Sequence, residues 1–107
     1  MSAAVPVSVR HVVLLRFKPD TSAADIAAIE TAFAALAGQI DEVLTLEWGT
    51  NHSPEGLDQG YTHCFSLGFA DSAARDRYLV HPTHQAFSAL AGPALAGVLV
   101  IDHDIRH

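Results

Sequence analysis

Two stretches of this chain alternate so regularly that few folds can accommodate them. In the first, Val9, His11, Val13, Leu15 and Phe17 fall on one side, with Arg10, Val12, Leu14 and Arg16 on the other. In the second, Tyr61, His63, Phe65, Leu67 and Phe69 oppose Thr62, Cys64, Ser66 and Gly68. A period of two is the signature of a strand, and an apolar side of this kind must be covered by another layer. Pro19 and Asp20 end the first strand. Ser22 followed by Asp25 makes a weak capping box. The apolar positions Ile26, Ile29, Phe33, Leu36 and Ile40 then recur at helical spacing, which predicts an amphipathic helix with Gly38 near its end.

Val43 to Trp48 reads as a second strand, and Gly49, Asn51, Ser53, Pro54 and Gly56 supply a long polar loop before the third, Tyr61 to Phe69. Asp71 or Ser72 opens a helix to about Val80, Pro82 opens another to Leu90, and Gly92 with Pro93 stops it. Val98 to Ile105 is the last strand, with Val98, Val100 and Asp102 on one face and Leu99, Ile101 and His103 on the other. The order β-α-β-β-α-β predicts a ferredoxin-like α+β protomer, a four-stranded antiparallel sheet with its helices on one face.

A chain of 107 residues and 11.4 kDa buries about 65% of its extended surface, enough for one core. Residues 1–8 are expected to be an N-terminal tail and 9–107 a single domain. The face without helices would carry Val12, Leu14, Cys64 and Val100, or their opposite-parity neighbours. A homodimer that presses two sheets together covers it economically.

Half of the residues are apolar and 17% are charged, which excludes disorder. The net charge is −6, and the basic residues Arg10, Arg16, Lys18, Arg75, Arg77 and Arg106 are scattered. Nucleic acid and acidic membrane surfaces are therefore poor partners. The longest non-polar run, Ala89 to Ile101, is broken by Gly92, Pro93 and Gly97 and falls short of the ~20 residues that span a bilayer. One cysteine and no secretion signal make a cytoplasmic location the expectation.

Tyr78 and His84 are the first candidates for chemistry. On one continuous helix they would sit about 120° apart, but Pro82 pushes His81 out of helical geometry, so a bend can turn phenol and imidazole toward one cavity. The plainer alternative is that His81-Pro82-Thr83-His84 only starts a helix, its side chains satisfying free amides. His11 and His63 share the parity of their apolar neighbours and lie near the start of adjacent strands. They are expected to approach each other and join Tyr78 and His84 at the mouth of an apolar cavity.

A metal is not expected. Proline interrupts the spacing of His81 and His84, and alternation sends His103 away from Asp102 and Asp104. Cys64 has the opposite parity to His63, so it reads as a buried packing residue rather than a nucleophile. Trp48 reads as packing at a strand end. Neither a phosphate-cradling glycine loop nor a Gly-x-Ser-x-Gly elbow is present.

Several segments together resemble one family: Arg10-His11-Val12-Val13, Trp48-Gly49-Thr50-Asn51 with Ser53-Pro54-Glu55, Tyr61-Thr62-His63, Tyr78-Leu79-Val80-His81-Pro82-Thr83-His84 and Ile101-Asp102. In order and spacing they resemble the stress-responsive A/B barrel (Dabb) family from about Arg10 to Asp104. The resemblance implies a protomer that dimerises into an α+β barrel. Members range from a plant polyketide cyclase, which performs an aldol condensation without metal or cofactor, to stress proteins that assemble into larger oligomers with no established catalysis.

Carried over from the cyclase, the base histidine matches His84, its tyrosine partner Tyr78, and two pocket histidines His11 and His63. Phe33 stands where the cyclase has a tyrosine, which removes a hydroxyl from the pocket. The resemblance thus implies a small, largely apolar, oxygenated ligand, with Phe33, Phe65, Leu67 and Phe87 lining the apolar part and no cofactor. The alternative it leaves open is a non-enzymatic stress protein whose selected property is the oligomer.

Overall fold

The computed structural model describes residues 5–107, so the first four residues of the expected tail lie outside the described residues. The elements are β1 (Val9–Phe17), α1 (Ala23–Gln39), β2 (Thr45–Thr50), β3 (His63–Phe69), α2 (Ser72–Leu79), α3 (Pro82–Ala91), a 3-10 turn (Gly92–Ala94) and β4 (Leu95–Asp104). The strands form one antiparallel sheet in the order β2-β3-β1-β4. This is the ferredoxin-like arrangement expected from the element order.

The alternation of β1 and β3 translates directly into burial. Val9, Val13 and Leu15 pack with Phe65, Leu67 and Phe69 beneath the helices, where Ile29, Phe33 and Leu36 of α1 close the core. Ser22 caps α1 by accepting from the Asp25 amide at 3.1 Å, while the Asp25 carboxylate adds negative charge to the first turn.

Three boundaries differ from the sequence reading. Val43 is buried in the turn that leaves α1, its amide bonded to the Ile40 carbonyl at 3.1 Å, and the β2 ladder begins at Thr45 but runs through Gly49 to Thr50. Tyr61 belongs to the preceding loop, its amide bonded to the Asp58 carbonyl at 3.0 Å, so β3 begins at His63. β4 begins at Leu95, because its pairing with Phe17 extends past a register shift between Arg16 and Phe17. Gly97 fits there because a Cβ would meet the Tyr61 hydroxyl at 2.9 Å and the Arg16 guanidinium at 3.0 Å.

The opposite face of the sheet has no helix. Register places Val12 opposite Ile101, and Leu14 between Leu99 and Cys64. Leu99 and Ile101 are 42% and 56% exposed, and Cys64 is exposed rather than buried as expected. Leu99 and Ile101, not Val100, complete this bare face; Val100 pairs with Val13 on the helix side. No helix is long and apolar enough to cross a membrane among the described residues.

Candidate functional site

α2 and α3 meet at a break. Val80 ends α2, His81 is extended (φ −64°, ψ 135°) and Pro82 takes the first helical position of α3. His81 caps α3, its Nδ1 accepting from the Thr83 amide at 3.1 Å. The helix-start reading thus holds for His81, while the bend carries His84 back onto Tyr78. Their ring centroids lie 4.5 Å apart.

The two side chains are fixed in complementary states. His84 Nδ1 lies 3.0 Å from the Leu79 carbonyl oxygen, which can only accept. Nδ1 therefore carries the hydrogen and Nε2 the lone pair. Burial pushes the imidazole below its ordinary range, and the Leu79 bond opposes this. Tyr78 is fully buried, its hydroxyl has no hydrogen-bond partner, and burial raises its pKa well above the usual phenol range. It is a protonated donor without an acceptor, beside an imidazole with a free lone pair.

Both border a hollow of about 350 Å³ between α3 and the β1–β4 half of the sheet. His11, Ser88 and Asp102 complete its polar end, and Phe33, Phe87, Leu15, Leu95 and Val98 line the rest. His11 reaches it from β1. Its Nδ1 lies 2.6 Å from Asp102 Oδ1, on the strand neighbour directly opposite. The other Asp102 oxygen accepts from Arg75 at 2.6 Å.

Five of the eight expected site residues, Tyr78, His84, His11, Phe33 and Phe87, thus surround one hollow. Three do not. His63 does not approach His11: antiparallel pairing sets His11 opposite Leu67 and His63 opposite Leu15. These positions are roughly 13 Å apart along the ladder. His63 instead bonds Glu30 at 2.7 Å and Thr62 at 2.8 Å, with its ring against Phe17 and Trp48. Phe65 lies behind the wall, stacked on Phe33 at 3.9 Å, and Leu67 is fully buried core.

Sequence reasoning gave Arg75 no role in the site, and it placed Asp102 in a family-like segment and as a disfavoured cation ligand without joining it to the hollow. Arg75 sits one helical turn before Tyr78, and Asp102 shares the parity of Val98 and Val100, which were the available signals. A larger bowl of about 620 Å³ lies on the bare sheet face, bordered by Trp48, Thr50, Tyr61 and Cys64. It offers no buried unpaired polar group among the described residues, whereas the smaller hollow is bordered by Tyr78, whose hydroxyl is one. No three His, Cys, Asp or Glu side chains among the described residues are grouped to hold a metal ion.

A ferredoxin-like protomer with a bare sheet face and a polar-tipped hollow under its helices defines a class of small α+β proteins. Residues 9–105 match the model of the Dabb family, described as the stress responsive A/B barrel domain, and the chain belongs to that family. It is similar to the stress-response A/B barrel domain-containing protein HS1 of Arabidopsis thaliana, with 37% identity covering 89% of this chain and 87% of that protein. It is also similar to olivetolic acid cyclase of Cannabis sativa, with 23% identity covering 92% and 98%. Among solved structures, the hydroxynitrile lyase of Passiflora edulis superposes with a TM-score of 0.87 at 27% identity, covering 94% of this chain and 95% of that one. A dimeric ferredoxin-like protein of unknown function from Jannaschia gives 0.79 at 27% identity, covering 91% and 98%.

Proposed function

We propose that this protein is a homodimeric, small-molecule-binding Dabb protein that acts as a cofactor-independent enzyme on a small, largely apolar, oxygenated substrate. His84 and Tyr78 are its catalytic residues; His11, Phe33 and Phe87 bind the substrate. The observation that carries this reading is the buried Tyr78 hydroxyl, which lacks a partner while its ring lies against His84. A substrate carbonyl oxygen placed in the hollow would supply the missing acceptor. Two of the similar proteins, a cyclase and a lyase, are named for reactions on small oxygenated molecules.

In the cyclase-like reaction, His84 Nε2 removes a proton from the carbon beside a substrate carbonyl. The resulting enolate oxygen accepts from the Tyr78 hydroxyl. The enolate carbon then adds to a second carbonyl of the same molecule, and the His84 imidazolium returns its proton to the new alkoxide. A lowered imidazole pKa keeps the base unprotonated near neutral pH.

The test offers the purified protein a linear poly-β-keto thioester, with cyclised product read by mass spectrometry, and mandelonitrile in parallel, with cyanide release read colorimetrically. Turnover of either, lost by about 10²-fold or more in Tyr78→Phe and His84→Ala, supports the proposal. If the wild type turns over neither and releases no small molecule on denaturation, the non-enzymatic stress protein takes its place.

A further inference from the structure

We infer that Arg75 is a positioning residue of the hollow: it clamps Asp102 so that Asp102 holds His11 as a neutral imidazole with Nε2 turned to the cavity. The inference rests on the hollow being the reaction site, but the chain of contacts can be tested on the ring itself. His11 is 4% exposed, and its Nδ1 is 2.6 Å from an Asp102 oxygen. A carboxylate this close to a buried imidazole, with nothing to offset it, favours the imidazolium, which donates from both nitrogens and accepts at neither.

Arg75 provides the offset. One guanidinium nitrogen lies 2.6 Å from the far Asp102 oxygen, and its Nε lies 2.9 Å from Asp76. Those two bonds hold the guanidinium more firmly protonated than usual, Asp102 contributing most. The side chains of Arg75 and Asp102 are 21% and 23% exposed, whereas Asp76 is 67% exposed and screened by solvent. The shielded pair is therefore balanced without a charge on His11, and Asp102 keeps only its orienting role as acceptor from Nδ1–H.

Asp102 faces His11 from β4, Tyr78 and, behind Asp102, Arg75 from α2, His84 from α3, and the Phe69 ring from β3. The Glu30 carboxylate of α1 is held by His63 instead. Since a charge on His11 weakens His84 as a base, Arg75 protects the base through two intervening side chains. A neutral His11 also leaves a second acceptor for a substrate hydroxyl.

The experiment is nitrogen NMR on the full chain labelled at its histidines, at about pH 7. In the wild type, His11 is expected as the Nδ1–H tautomer. Arg75→Met should raise the imidazolium share at His11 at least threefold, and Arg75→Lys, which keeps the charge, should stay within twofold of wild type. An unchanged share in Arg75→Met with an intact amide spectrum overturns the inference, as does a rise in Arg75→Lys equal to that in Arg75→Met. If Arg75→Met does not fold, Asp102→Asn decides: loss of the Nδ1–H preference supports the clamp, and its persistence at the wild-type level overturns it. A hollow that turns over no substrate would leave these readings unaffected.

Discussion

The Tyr78 phenol lies against the His84 imidazole across a break between two short helices, and its buried hydroxyl bonds to nothing. An unsatisfied buried hydroxyl costs roughly 1–3 kcal/mol. Tyr78→Phe removes that cost without opening a cavity. The variant is expected to be about 1 kcal/mol more stable, raising Tm by roughly 4–8 °C for a domain of this size, while losing turnover. A calorimetric Tm below wild type would mean that the hydroxyl is satisfied in solution and would weaken its assignment as a waiting donor.

His84 adds a pH dependence whose sign follows from its burial. Its folded pKa lies below the unfolded value, so just below pH ~6.5 the unfolded chain binds the proton more readily. Stability is therefore expected to fall as pH drops from ~6.5 toward the folded pKa. His84→Gln should flatten that part of a denaturation-midpoint series against pH. The same shift places the acid limb of kcat/KM below pH ~6.5. A limb above 7 would assign the essential base elsewhere.

What the sequence made legible follows from what alternation and spacing can encode. One-sided coverage writes a period of two into β1 and β3, so their inward faces were readable residue by residue. Pro82 likewise announced the break that joins Tyr78 to His84. Parity, however, carries no direction along a strand. His11 and His63 both pointed inward as read, yet antiparallel pairing put them at opposite ends of the ladder. The carboxylate partners of both histidines come from distant segments, Asp102 on the neighbouring strand and Glu30 on α1, and no local pattern marks them. The start of β4 was hidden for another reason: a strand that follows a Gly-Pro turn and contains Gly97 looks locally like loop.

His63 should then behave as a strut. Glu30 ties α1 to its Nε2 at 2.7 Å, and the imidazole is only 7% exposed. Glu30→Ala leaves that buried nitrogen without its partner, and the expected loss is about 1–3 kcal/mol. Denaturant unfolding should show the loss while kcat/KM stays within about twofold, since neither residue borders the hollow. A large fall in kcat/KM with unchanged stability would return His63 to the reaction site.

The bare sheet face yields the last prediction. Val12, Leu14, Leu99 and Ile101 form adjoining pairs across β1 and β4, and the similar Jannaschia structure is described as dimeric. A glutamate at position 101 is solvated on an isolated protomer, but must shed its water if a second sheet closes over it, at a cost of several kcal/mol. Ile101→Glu is therefore expected to sediment as a monomer where the wild type sediments as a dimer. Since β4 is an edge strand of the protomer and its other face lines the hollow with Val98, Val100 and Asp102, dissociation should also loosen the hollow and raise KM more than it lowers kcat. Ile101→Val keeps the face apolar and should behave as wild type. If Ile101→Glu remains dimeric, the second copy sits on some other surface.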